Sequence, residues 1–148
     1  MNHTNHTLND LVEVARDGET FYEHAAVKVD QPDLRILFTR IAMVKRDIVK
    51  SLSSELLARG EKPADSGSWT GSFNKLYGDI RALLGNKDYA YVAQLEESED
   101  RLLKGFEKAI NDKETSDSAR HVLTRLLPEV RNCHELMHMR KAALKKAA

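Results

Sequence analysis

The chain has 148 residues, 41% hydrophobic and 31% charged, with seven Gly and three Pro, which suits one helix-rich domain with a sizeable core. Lys plus Arg and Asp plus Glu both total 23, so the formal charge cancels and a bulk electrostatic pull toward nucleic acid or a membrane surface is excluded. The single Cys133 excludes an intramolecular disulfide framework, and no apolar run approaches the roughly 20 residues that span a bilayer.

The chain opens on the polar stretch MNHTNHTLND, without the basic, apolar and cleavage regions of a secretory signal. With one cysteine and no signal, a cytoplasmic location is expected. Met1-Asn2-His3 has the spacing to chelate copper through a free amine, backbone amides and imidazole, but reads as an unstructured tail. Asn2-His3-Thr4 and Asn5-His6-Thr7 match glycosylation acceptors, which are idle in the cytoplasm. The first helix is expected from about residue 8 to 29, on an apolar stripe of Leu8, Leu11, Val12, Ala15, Tyr22, Ala25, Ala26 and Val29 with a period near 3.6. Asp30-Gln31-Pro32 breaks it, and Pro32 suits the first turn of a second helix over about 33–59. That helix carries Leu34, Phe38, Ile41, Ile48, Leu52 and Leu56 on one face, and Gly60 then Pro63 stop it.

A shorter helix is expected over about 68–84, with Trp69, Phe73, Leu76, Ile80, Leu83 and Leu84 as its stripe, closed by Gly85-Asn86. Trp69, Phe73 and Tyr77 at helical spacing read as packing, not as a base-stacking platform. The next long helix, about 88–111, carries Val92, Leu95, Leu103, Phe106 and Ile110. Tyr89 and Tyr91 at its start lie about 200° apart and share no stripe. Thr115-Ser116-Asp117 caps the last helix, about 116–146, which Pro128 should kink. The expected fold is an all-α four-helix bundle forming one domain over the whole chain, with the short helix in the long connection between the second and third long helices. A second helix of about 27 residues is roughly 40 Å long, and the 60–87 stretch can return along it, so that those two helices run parallel; the alternative is five helices in simple up-down order, with the short one as a full member.

A few polar residues fall on core stripes. Lys45 stands among Phe38, Ile41, Ile48 and Leu52; Glu99 stands among Val92, Leu103, Phe106 and Ile110. His134 joins Leu123, Leu127, Val130 and Met137, while Tyr22 is central on the first helix with Glu19 at its edge. All lie near mid-helix, in one layer of an aligned bundle. Burying an isolated charge is too costly to leave uncompensated. Either Lys45 pairs with Glu99, with His134 and Tyr22 adding hydrogen bonds, or Lys45 snorkels to water past a slightly rotated helix.

Leu8-Asn9-Asp10-Leu11 followed by Asp17-Gly18, then Ser66-Gly67-Ser68 with Gly71, then Glu96-x-x-Glu99-Asp100, resemble in this order a widespread bacterial family of uncharacterised four-helix-bundle proteins assigned to the ferritin-like superfamily. The resemblance covers nearly the whole chain. Where members carry His-Arg-x-Trp, this chain has Asn74, Lys75 and Tyr77, so no role of that histidine carries over. What the resemblance implies is the fold, with no established activity.

Ferritin-like di-iron sites use one Glu on each of two helices and Glu-x-x-His on the other two. Here the third long helix offers Glu99 or Glu96. The last offers His134, preceded at three residues by Arg131, with Glu129 on another face. The second offers only Ala42-x-x-Lys45, and the first has Tyr22 with Glu19 or Glu23 beside it. A lysine ammonium has no lone pair, and its charge opposes a cation, so no di-metal site is expected. His134 and His138 have ligand spacing beside Cys133, Met137 and Met139, yet read more simply as core sulfur with boundary imidazoles. Cys133 and His134 point about 100° apart on a helix and make no nucleophilic pair.

The expected function is non-catalytic, through protein–protein contacts or as a homo-oligomer, with neither cofactor, nucleic acid nor membrane as partner. The alternative is a metal-binding or oxidative-stress protein that holds a single metal ion through Glu19, Glu96, Glu99 and His134. A small ligand seated in the same polar layer is a third possibility.

Overall fold

The computed structural model describes residues 2–67 and 86–147. Four helices account for most of them: α1 (His3–Lys28), α2 (Pro32–Ala58), α3 (Lys87–Asn111) and α4 (Asp117–Ala147). The short helix expected over 68–84 lies outside the described residues. No helix among those described is long and apolar enough to cross a membrane.

The helix ends follow local chemistry. The Asn2 side chain caps α1 by accepting from the Asn5 backbone N–H at 2.8 Å, so α1 starts five residues before Leu8. The polar opening is helix rather than tail because tertiary partners take up its polar groups. Thr4 and Asn5 are buried; Thr4 Oγ1 donates to the Glu114 carbonyl and accepts from Ser116 N–H, and Asn5 Oδ1 accepts from Arg59. Pro32 opens α2, and Gly60 closes it at φ +76°. Gly60 N–H reaches the Leu57 carbonyl and Glu61 N–H the Leu56 carbonyl, the paired bonds of a Schellman stop. Asn86 caps α3 through Tyr89 N–H. Pro128 lies inside α4, which continues on both sides of it.

The main packing pairs are α1 with α2 and α3 with α4, and the α1–α3 and α2–α4 sides close a four-helix ring. Hydrogen bonds at the ends give the directions. His3 meets Asp112 at one end of α1, while Asp88 accepts from Asp30 and Gln31 N–H at the other, so α1 and α3 are antiparallel. Arg59 meets Ser116, and Arg140 meets Asp33, so α2 and α4 are antiparallel as well. It follows that α2 and α3 run parallel, and the connection between them starts and finishes at opposite ends of the bundle. Its first residues lie on α1, with Ala64 N–H on Asn9 Oδ1 and Arg16 on the Ala64 carbonyl.

The apolar core is in two parts. One cluster centres on Phe21, Phe38, Ile41, Val92 and Leu95, and the other on Leu8, Val12, Leu52, Phe106 and Leu123. Between them lies a polar layer.

Candidate functional site

α1, α2, α3 and α4 each contribute one side chain to that layer: Tyr22, Lys45, Glu99 and Cys133. All are almost fully buried, at 0%, 2%, 0% and 1% exposure. The Lys45 ammonium donates to Glu99 Oε1, and Tyr22 OH donates to Glu99 Oε2 at 2.5 Å. Both oxygens of the carboxylate are therefore engaged. The Lys45 charge also acts on the Cys133 thiol. The aliphatic stem of Lys45 passes beside Gly18, where an added Cβ would sit 3.7 Å from it. Tyr22 stacks edge-on against Phe38 at 5.7 Å.

Burial dominates the electrostatics. It pushes the Tyr22 phenol well above its ordinary value, and the charge and hydrogen bond of Glu99 push the same way. It also pushes the Cys133 thiol from 9.0 to about 11, against the pull of the Lys45 charge. A thiol held protonated and shielded from water is inert as a nucleophile.

His134 is not in this layer. It is 24% exposed on the rim of α4, with Nε2 3.6 Å from Asp100. Periodicity puts Leu123, Leu127, Val130, His134 and Met137 inward, whereas the buried line on α4 is Ala119, Leu123, Val130, Cys133, Met137 and Leu144. Two heptad frames overlap on this helix, and the inward one presents a small apolar thiol, which buries beside a lysine stem more cheaply than an imidazole. The seven-residue spacing of Leu123, Val130 and Met137, with Cys133 between the last two, was the available signal.

The residues named for a single ion are not brought together. Glu19 binds Arg46 at 2.9 Å on the outer face. Glu96 lies 3.6 Å from His138 and 3.7 Å from Lys141, Glu99 is held by Lys45 and Tyr22, and His134 faces Asp100. His138 is 62% exposed, and its ring stacks on that of His134 at 6.5 Å. The donor set does not fit a di-iron centre: the layer offers one carboxylate with both oxygens occupied, and an ammonium where a second ligand would stand.

Sequence reasoning missed two places. Asp88 is 4% exposed and accepts from the backbone N–H groups of Asp30 and Gln31 at 2.8 and 3.0 Å. His3, Asp112 and Glu114 form the one group of three His, Asp or Glu side chains, among the described residues, close enough to hold an ion. Its carboxylates face different ring nitrogens, Nε2 at 2.6 Å and Nδ1 at 3.7 Å, the geometry of an imidazole clamped between two acids. It ties the start of α1 to the α3–α4 turn.

A family model described as Domain of unknown function (DUF2383) matches residues 3–112. The match runs from the first residue of α1 to the C-cap of α3, so it contains Tyr22, Lys45 and Glu99 but neither Cys133 nor His134. No curated protein and no solved structure matches the chain.

Proposed function

The chain belongs to the DUF2383 family, and from that premise we propose that it is a ferritin-like bundle whose metal position has become a structural ion pair, and that it acts through protein–protein contacts rather than catalysis. The observation carrying this reading is the buried pairing of Lys45 with Glu99, completed by Tyr22. An ammonium at the centre supplies the positive charge that a cation would otherwise bring, and it uses the carboxylate that would bind one. The parallel α2–α3 pair supports the ferritin-like comparison, since bundles of that type have one long crossover. The absence of catalysis is supported by access: Tyr22, Lys45, Glu99 and Cys133 are each at most 2% exposed, so a substrate finds no reactive group of the layer at the surface.

Elemental analysis of protein purified without tags or chelators tests this reading. The expected result is no stoichiometric iron, manganese or zinc. The alternative, a metal-binding or oxidative-stress protein with a reduced ligand set, requires stoichiometric metal that is lost on Glu99→Ala. That result would overturn the first reading.

A further inference from the structure

Four of the five large apolar side chains most exposed among the described residues belong to the α1–α2 pair: Val27 on α1 at 74%, and Ile36, Met43 and Leu57 on α2 at 63%, 60% and 64%. On α2 the exposed positions recur every seven residues, as Ile36, Met43, Lys50 and Leu57. Positions seven apart drift only about 20° around a helix, so these four form one line roughly 30 Å long. Two shallow grooves between α1 and α2 flank it. Ala26, Val27, Ala42 and Met43 line the first, Val49, Lys50, Ser53 and Leu57 line the second, and Arg46 lines both.

We propose that this face binds a second copy of the chain through an antiparallel α2–α2 contact, with the two-fold axis between Arg46 and Asp47. The proposal rests on the reading that the protein works through protein contacts, and it names the partner. Arg46 is the midpoint of the two grooves, so an axis there lays each groove over the other groove of the second copy. Ile36 then meets the partner's Leu57, and Met43 lies on the aliphatic stem of the partner's Lys50. Isologous contacts need this kind of self-matching, and a flexible Met fills the irregular gap between them.

Charge complementarity points the same way. Arg46 uses Nε on Glu19 and Nη2 on Glu23, which leaves Nη1 for the partner's exposed Asp47, and the two-fold makes that pair twice. The face carries Glu19, Glu23 and Asp47 against Arg16, Arg46 and Lys50. With the exposed Arg40 beside them the two signs stay mixed, so the face presents no large single-sign patch and can meet its own copy. Two helices about 10 Å wide over this length cover roughly 600 Å² per copy, near the lower bound of standard-size interfaces.

Analytical ultracentrifugation of the full chain over about a hundredfold range of concentration tests the proposal. A concentration-dependent dimer is expected, and Met43→Glu and Leu57→Glu should each weaken it about tenfold or more. Circular dichroism should be unchanged, because both side chains stand in solvent in the single chain. Under mild oxidation Asp47→Cys should form a covalent dimer and Leu57→Cys should not, since only residues beside the axis meet their own copy; the native Cys133 is buried and does not interfere. A monomer throughout, a dimer indifferent to both Glu variants, or cross-linking through Leu57→Cys but not Asp47→Cys overturns the proposal. A monomer whose complex with a different protein is lost on Met43→Glu overturns the second copy as occupant while leaving the protein-contact reading standing. Stoichiometric metal lost on Glu99→Ala overturns that reading instead.

Discussion

At the residue scale, Lys45, Glu99 and Tyr22 form a unit whose members are expensive to remove singly. A buried ion pair adds little net stability over an apolar pair, because desolvation offsets attraction, but breaking it strands the remaining charge. Lys45→Ala or Glu99→Ala should therefore each cost about 3–5 kcal/mol in denaturant unfolding. The double replacement Lys45→Met with Glu99→Leu should cost far less than the sum, and additive losses would show that the two side chains do not act as a pair. Tyr22 and Cys133 set the alkaline limit. Both are raised by burial, so the folded state keeps its protons where the unfolded chain loses them. The stability contributed by Cys133 is whole below the ordinary thiol value and falls as pH rises from 9.0 toward about 11; that of Tyr22 begins to fall only above 10.0. For Cys133 the loss amounts to at most about 3 kcal/mol, and melting curves of Cys133→Ala should decline less steeply over that window.

At the element scale, two glycines separate conformation from space. Gly60 sits at φ +76° with nothing within 4 Å of an added Cβ, so Gly60→Ala meets only the left-handed backbone penalty, about 1 kcal/mol. Gly18 lies inside α1 with ordinary helical geometry, and its added Cβ would make normal contact with the Lys45 stem at 3.7 Å. Gly18→Ala should be neutral or stabilising by up to about 1 kcal/mol. A large loss there would show that the lysine needs the full gap. The extents of α1 and α4 show what periodicity does and does not carry. The apolar stripe of α1 begins at Leu8, yet the helix begins at His3: Asn2 caps it locally through Asn5 N–H, and Thr4 and Asn5 find partners in the α3–α4 turn and at the end of α2. Those partners are remote in sequence, so no local pattern announces them. On α4 the periodicity was present but double, and the frame containing Cys133 faces inward.

At the scale of the whole molecule, a few polar clamps tie the helices together at the bundle ends. Asp88 fastens the α1–α2 turn to the start of α3 through two backbone N–H groups. Its replacement by Ala should cost about 2–3 kcal/mol by leaving those donors without their carboxylate, whereas Asp88→Asn, which keeps an acceptor, should recover part of it; equal losses would argue against the hydrogen-bond account. The sequence by itself determined that the chain is helical, roughly where its helices lie, and that Lys45, Glu99 and Tyr22 fall on apolar stripes, because apolar periodicity, glycine and proline act over a few residues. Only the tertiary structure decided that both oxygens of Glu99 are taken by Lys45 and Tyr22, that Cys133 and not His134 completes the layer, and that Glu19, Glu96 and His134 turn to separate partners. Helical rotation is set by packing against neighbours, and a turn of about 100° per residue moves a side chain from core to rim.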